Sequence, residues 1–280
     1  MASEPGGSWE AAVLALRAAP AQHRLVLEAY YDDPVDAAAR RYFESEEWAD
    51  VRPWLGGRRG AALDVGAGRG IASYALAREG FTVTALEPDP SNVVGGGAIT
   101  ALTAQTGANI TVLGASAESI PAPDGTFDLV FARAALHHTA DLGRACREVF
   151  RVLKPGGRFL ALREHVISRQ EDLARFLEVH PLHRHYGGEN AYLLPVYEDA
   201  IRAAGFKLAA IRRPLESPMN HAPHTAAELR GLTADRAGPL RGLMRAAFGL
   251  PGVWPALLPL LGLLDHRPGR LYSFLALKTG

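Results

Sequence analysis

A single turn limits most sharply what this chain can become. The apolar run Ala61 to Val65 passes into Gly66-Ala67-Gly68-Arg69-Gly70 and at once into a helical stretch beginning near Ile71. A strand that must bend into a helix within so few residues needs glycine, and it leaves backbone N–H groups exposed at the helix start, where a ligand can reach them. From Gly60 onward short apolar runs alternate with helical stretches, the pattern of repeated βαβ units carrying a parallel sheet. Seven runs are expected as strands: Ala61 to Val65, Thr82 to Leu86, Ile110 to Leu113, Leu129 to Ala132, Phe159 to Leu162, Phe206 to Ile211 and Tyr272 to Leu277. They predict an α/β fold, a seven-stranded doubly wound Rossmann-like sheet with helices on both faces and right-handed crossovers.

The flanks of this pattern read differently. Ser8 can cap a helix from Trp9 to Ala19 that Pro20 stops, Ala21 to Tyr31 resumes it, and Pro34 starts a third from Val35 to Trp48. Residues 1–57 are therefore expected to be an N-terminal helical cap, joined by a linker around Arg52 to Arg59 to a main domain over 58–280. Two segments, about 165–197 and 212–270, exceed ordinary loop length and are expected to carry structure of their own as helical lids over the site.

The second strand ends in Leu86-Glu87-Pro88-Asp89, which puts an acid about twenty residues after the glycines, where a carboxylate can accept hydrogen bonds from both hydroxyls of a ribose. A glycine turn and this acid suit a nicotinamide dinucleotide as well as S-adenosylmethionine. Six stretches in order separate the two: Leu63 to Gly70, Glu87-Pro88-Asp89, Ala115 to Pro121, Phe127-Asp128-Leu129-Val130, Leu136-His137-His138 and Leu153-Lys154-Pro155-Gly156-Gly157. In these the chain resembles the class I S-adenosylmethionine-dependent methyltransferases, well over about Arg58 to Phe159 and loosely beyond.

The resemblance implies an antiparallel last strand, S-adenosylmethionine as cofactor and S-adenosylhomocysteine as product. It also implies roles for particular residues. Asp64, Gly66, Ala67 and Gly68 would line the methionine end and ribose, Glu87 would hold the ribose hydroxyls, and Pro88 would border adenine. Ser116, Ala117 and Glu118 would meet the adenine edge; Ser116 stands where many members carry an aspartate, so only a hydroxyl is offered there. Arg133 and Ala134 would pass under the methionine moiety through backbone groups. Tyr30, beside Tyr31, would close over the sulfonium, where an aromatic face attracts a cation.

Thirty basic residues balance thirty acidic ones, which leaves no electrostatic footprint for wrapping nucleic acid. Cys146 is the single cysteine and has no internal partner, so it reads as a buried thiol in a cytoplasmic protein. Met1 to Pro20 lacks a basic start followed by an unbroken apolar run, so the start reads as mature protein. Residues 246–264 carry no charge, but Pro251, Pro255 and Pro259 argue against a membrane span. The stretch is expected instead as a lid over a small, apolar or aromatic methyl acceptor, or as a face buried in a homodimer. A place in secondary metabolism would suit such an acceptor.

Methyl transfer needs proximity, orientation and, for a protonated acceptor, a base. His137 and His138 follow the fourth strand and His165 the fifth, at the sheet edge where ligands bind. His180-Pro-Leu-His183-Arg-His185-Tyr-Gly-Gly-Glu189 then packs imidazoles and a carboxylate into ten residues, from which His183, His185 or Glu189 would take the acceptor proton. The spacing matches no strong metal signature, and no metal is expected. Two other readings stay open: a cofactor-binding protein without catalysis, and an NAD(P)-dependent oxidoreductase, the latter weakened by the absence of a Tyr-x-x-x-Lys pattern.

Overall fold

The structure, a computed structural model, describes residues 8–280, with all side chains among them except those of His185 and Tyr186. The first residues of the expected cap, 1–7, and the beginning of the leader reading lie outside the described residues. The central sheet is ordered β3-β2-β1-β4-β5-β8-β7, with a two-residue β6 paired to β5 off that path. Its strands are β1 (Gly60–Val65), β2 (Phe81–Leu86), β3 (Ile110–Leu113), β4 (Phe127–Arg133), β5 (Leu153–Ile167), β6 (Tyr192–Leu193), β7 (Lys207–Arg212) and β8 (Arg270–Leu277). The pairings β1 with β2, β2 with β3, β1 with β4 and β4 with β5 are parallel, whereas the last strand, β8, is antiparallel to both β5 and β7, as expected. Strand order reverses at the neighbouring, parallel β1 and β4, so the carboxyl ends of these two strands form the crevice at which open α/β sheets bind ligands.

Strand five was expected to span only Phe159 to Leu162 but runs for fifteen residues. It is paired with β4 on one side and β8 on the other, so its backbone stays extended well past the short apolar run visible in sequence. Near its end the register against β8 shifts between Ala161 and Glu164, and Arg163 takes a positive φ of 59°. Such a bulge bends the strand and re-aims its side chains. Arg163 reaches toward the N-terminal helices, and Glu164 toward the segment after β4.

Among the described residues four α-helices precede the sheet: α1 (Trp9–Ala18), α2 (His23–Glu28), α3 (Val35–Phe43) and α4 (Glu46–Leu55). The single helix expected over Val35 to Trp48 is two, because the Ser45 hydroxyl accepts the Trp48 N–H and caps a new start. The segment expected as a linker is partly helical too. α4 continues to Leu55, and the Arg158 guanidinium holds the Trp54 carbonyl at 2.7 Å. Tyr42, Trp48 and Val51 from these helices are buried in one cluster with Leu129 and Phe131 of β4 and Ala75 and Leu76 of α5 (Ile71–Arg78). α6 (Gly96–Thr106) completes this side, and α7 (Leu142–Val152) covers the other with Cys146, whose thiol is buried and pushed up to about 12 by that burial.

The first long insertion holds α8 (Asp172–Val179), the short α9 (His183–Tyr186) and β6 before α10 (Leu194–Ala203). The second holds α11 (Pro218–His221), α12 (Ala226–Asp235), α13 (Arg241–Gly249) and α14 (Val253–Leu264). Among the described residues no single helix is long and apolar enough to cross a membrane; the apolar stretch is a pair bent by 118° at residues 250–252. It packs on itself around Leu229, Phe248 and Trp254, leaving Leu243, Leu260, Leu263 and Leu264 exposed.

Candidate active site

A cavity of about 610 Å³ opens at the carboxyl ends of the parallel strands. All twelve residues expected to touch the cofactor line it: Asp64, Gly66, Ala67 and Gly68 after β1, Glu87 and Pro88 after β2, Ser116, Ala117 and Glu118 after β3, Arg133 and Ala134 at the end of β4, and Tyr30 from the cap. The turn after β1 is built as the glycines require. Gly66 and Gly68 have φ of 63° and 56°, and a Cβ on Gly66 would come within 2.7 Å of the Ala135 Cβ. Backbone and the segment after β4 thus approach more closely than any side chain permits.

The donors and acceptors present fit an adenosyl sulfonium. Glu87 is buried, its two oxygens accept the Gly68 N–H at 2.8 Å and the Asp89 N–H at 2.9 Å, and each keeps a further lone pair for a ribose hydroxyl. Burial raises its pKa from the ordinary carboxylate value. Asp64 accepts the Ser73 hydroxyl at 2.6 Å, and burial pushes its carboxyl up to about 7. Leu86, Pro88, Ala115 and Ala117 supply apolar walls at the ends of β2 and β3, suited to a purine. Glu118 lines the cavity, but its carboxylate accepts the Ala140 N–H at 2.7 Å and so also holds the approach to α7.

The side chains of two of these residues have partners within the protein. The Tyr30 ring, expected to face a sulfonium, is already packed against the guanidiniums of Arg41 at 5.2 Å and Arg133 at 5.7 Å, so its attraction for a cation is met within the protein. The Arg133 side chain points away to a buried pair with Glu47 at 2.6 and 2.9 Å, with Arg163 also 3.8 Å from Glu47. Glu47 was not anticipated. Burial alone would raise its pKa, but the two guanidiniums hold it below the usual carboxylate range. Tyr30, Ala134 and Arg163 all have positive φ, and all three line the cavity. Non-glycine residues in that conformation collect where surrounding structure enforces it. Arg69, inside the glycine turn, was also missed: it donates to the Tyr30 carbonyl at 3.0 Å and the Asp32 carbonyl at 2.7 Å, and it pairs with Asp33.

At the other end of the cavity the histidines of three segments meet. His137, His138, His165, His180 and Glu189 line it. Of the residues expected to take an acceptor proton, His183 is not among those lining the cavity, and the His185 side chain lies outside the described residues. His137 Nδ1 bonds Glu164 at 2.7 Å and its Nε2 lies 3.5 Å from Glu189. Burial would lower its pKa, but these two carboxylates raise it to about 9. Burial would raise Glu189, yet His137, His138 and His180 hold it down to about 2, so it is ionised at neutral pH. Burial and the neighbouring His137 charge push His165 well below its ordinary value. Glu164 was not anticipated. It is fully buried and accepts the backbone N–H groups of Ala135, Leu136 and His137 at 3.1–3.2 Å, which fixes the turn that presents His137.

The apolar residues 246–264, expected to cover the acceptor, line none of this cavity; from the second insertion only Pro223 reaches it, with Leu271 just beyond. The apolar helices pack together on a separate cluster instead. The cavity takes other apolar walls, in Trp9, Leu25, Tyr31, Pro181 and Leu182.

Residues 63–161 match a protein-family model described as a methyltransferase domain. Over 99 residues, 35% of this chain and 39% of its counterpart, the chain is 35% identical to a ubiquinone biosynthesis O-methyltransferase of Methylobacterium nodulans. It spans less than half the length of the curated relatives it matches, with aligned segments between 20% and 39% of theirs. Its fold is similar to that of a geranyl diphosphate methyltransferase solved with S-adenosylmethionine, at a TM-score of 0.59 and 13% identity over 92% of this chain and 95% of that one. The [4+2]-cyclase SpnF shares the fold too, at a TM-score of 0.56 and 21% identity over 87% and 81% of the two chains.

Proposed function

We propose that this chain, whose residues 63–161 match a methyltransferase-domain model, is a class I S-adenosylmethionine-dependent methyltransferase that methylates a small, partly apolar acceptor at a polar atom held beside Glu189. S-adenosylmethionine is the cofactor of this family and supplies an electrophilic methyl group on a sulfonium. The observation that carries the reading is the cavity itself, which joins a glycine turn and a buried ribose-type carboxylate at one end to a cluster of imidazoles and an ionised carboxylate at the other. Glu87 would hold the ribose hydroxyls and the turn from Gly66 to Gly68 the neighbouring backbone contacts. Ser116, Ala117 and Pro88 would bound the adenine, with Asp64 and Ala134 toward the methionine end.

Glu189 stays ionised and so can only accept, which selects an acceptor whose reacting group donates a hydrogen bond, a hydroxyl above all. Trp9, Leu25 and Leu182 would take the apolar body of that molecule and exclude water from the transfer. The printed name of the ubiquinone-pathway relative, an O-methyltransferase, agrees with this choice of atom. The [4+2]-cyclase keeps the alternative in view, because one fold serves reactions of different kinds. Incubating the protein with methyl-labelled S-adenosylmethionine and fractionated small-molecule extract decides between them. The expected result is label in a low-mass product with stoichiometric S-adenosylhomocysteine, and a fall of about a hundredfold in kcat for Glu189→Ala through lost orientation. Cofactor binding with no labelled product from any fraction would contradict methyl transfer.

A further inference from the structure

The rings around Glu189 share a property that neither cofactor binding nor acceptor orientation requires. His165 Nδ1 lies 2.8 Å from the Gly269 carbonyl and His138 Nδ1 lies 2.9 Å from the Gly188 carbonyl. A carbonyl oxygen only accepts, so in both rings Nδ1 carries the hydrogen and the neutral ring presents a bare lone pair at Nε2. His137 is oriented in the same sense by Glu164 at Nδ1. One nitrogen each of His137 and His165 and one Glu189 oxygen converge to within 4.8 Å of one another, with His138 Nε2 3.8 Å from the same carboxylate.

We infer that His137, His165 and Glu189 form a binding site for a divalent first-row cation of the zinc class at the acceptor end of the cavity. Ligands about 2.1 Å from a tetrahedral ion stand about 3.4 Å apart. The 3.5 Å between His137 Nε2 and Glu189 already meets this, and the remaining ligand needs to close by about an ångström. Two imidazoles and one carboxylate suit zinc or its neighbours better than magnesium, which demands mostly oxygen. The supports that such a site requires are in place. Glu164 holds His137 from behind while itself anchored by three backbone N–H groups, and Gly269 holds His165 through its carbonyl. All three ligands line the cavity, so the fourth position faces the acceptor. The ligand set stands on geometry alone; only its use, to hold the acceptor oxygen, rests on the function proposed above.

The test uses the full chain stripped with chelator and titrated with Co²⁺, whose visible ligand-field bands report nitrogen and oxygen coordination, with Zn²⁺ as competitor. Circular dichroism checks the folding of every sample, and S-adenosylhomocysteine binding is measured beside it. One Co²⁺ per chain is expected, displaced by Zn²⁺, lost in His165→Ala and Glu189→Gln, weakened about 10- to 100-fold in Glu164→Gln, and unchanged in His183→Ala. Absence of bands in protein that binds S-adenosylhomocysteine, or bands equally strong in folded His165→Ala, would overturn the site. Co²⁺ bound with the expected variant pattern to protein that fails to bind S-adenosylhomocysteine would uphold the cation site and remove the methyltransferase reading instead.

Discussion

At the scale of single residues, the cavity collects carboxylates whose ionisation is set by their surroundings, and Asp64 shows this most simply. Burial, only partly offset by the Ser73 hydroxyl and added to by the Glu87 charge, lifts it from an ordinary value of 3.8 to about 7. The folded chain then keeps a proton that the unfolded chain loses. This group's contribution to stability is full below about pH 4 and is lost as pH rises through about 7. In urea unfolding of the cofactor-free protein, stability relative to Asp64→Asn should therefore fall between about pH 4 and about pH 7, by at most about 1.4 kcal/mol per pH unit. Parallel curves for the two proteins would show that Asp64 is ionised on both sides of folding. Residues of this kind were legible in sequence because Asp64 and Glu87 lie inside short contiguous motifs. Glu47 was not, since it meets Arg133 from 86 positions away and from a helix whose start is set by Ser45.

At the scale of elements, Arg69 joins the two parts of the chain that sequence reading kept separate. From inside the glycine turn it binds the carbonyls of Tyr30 and Asp32 and pairs with Asp33, so the cap cannot shift without moving the turn after β1. Arg69→Ala should leave the sheet folded but loosen this seam, weakening S-adenosylhomocysteine binding by about tenfold and speeding proteolysis within 29–34 ahead of any cleavage in the sheet. Unchanged affinity with unchanged cleavage would show that the cap holds by its buried apolar contacts alone. Element order and the antiparallel last strand were readable from apolar runs, whereas element lengths were not. β5 extends because β8 pairs along it, and pairing partners are not visible in a run of four apolar residues. The Val35 helix ends early because one serine hydroxyl offers a new cap.

At the scale of the whole molecule, the two ends of the cavity differ in how they are assembled. The cofactor end comes from motifs at the carboxyl ends of consecutive strands, so strand order alone brings them together. The acceptor end draws His137 from beyond β4, His165 from the late part of β5, His180 from beyond α8, and Glu189 from the segment before β6. No linear spacing encodes that meeting. Hydrophobicity misled there as well: the longest uncharged stretch, 246–264, packs on its own cluster away from the cavity, while shorter apolar pieces from the cap and the 180–182 turn line it. The claim that organises all of this is that the cavity is built around an adenosyl sulfonium with Glu87 as its ribose anchor. It is tested most directly by calorimetric titration of the purified chain with S-adenosylmethionine and, separately, with NADH, repeated on Glu87→Ala. Saturable binding of S-adenosylmethionine but not NADH, weakened at least about tenfold in the variant through loss of two charge-assisted hydrogen bonds, is the predicted result; preference for NADH, or S-adenosylmethionine affinity untouched by the substitution, would contradict it.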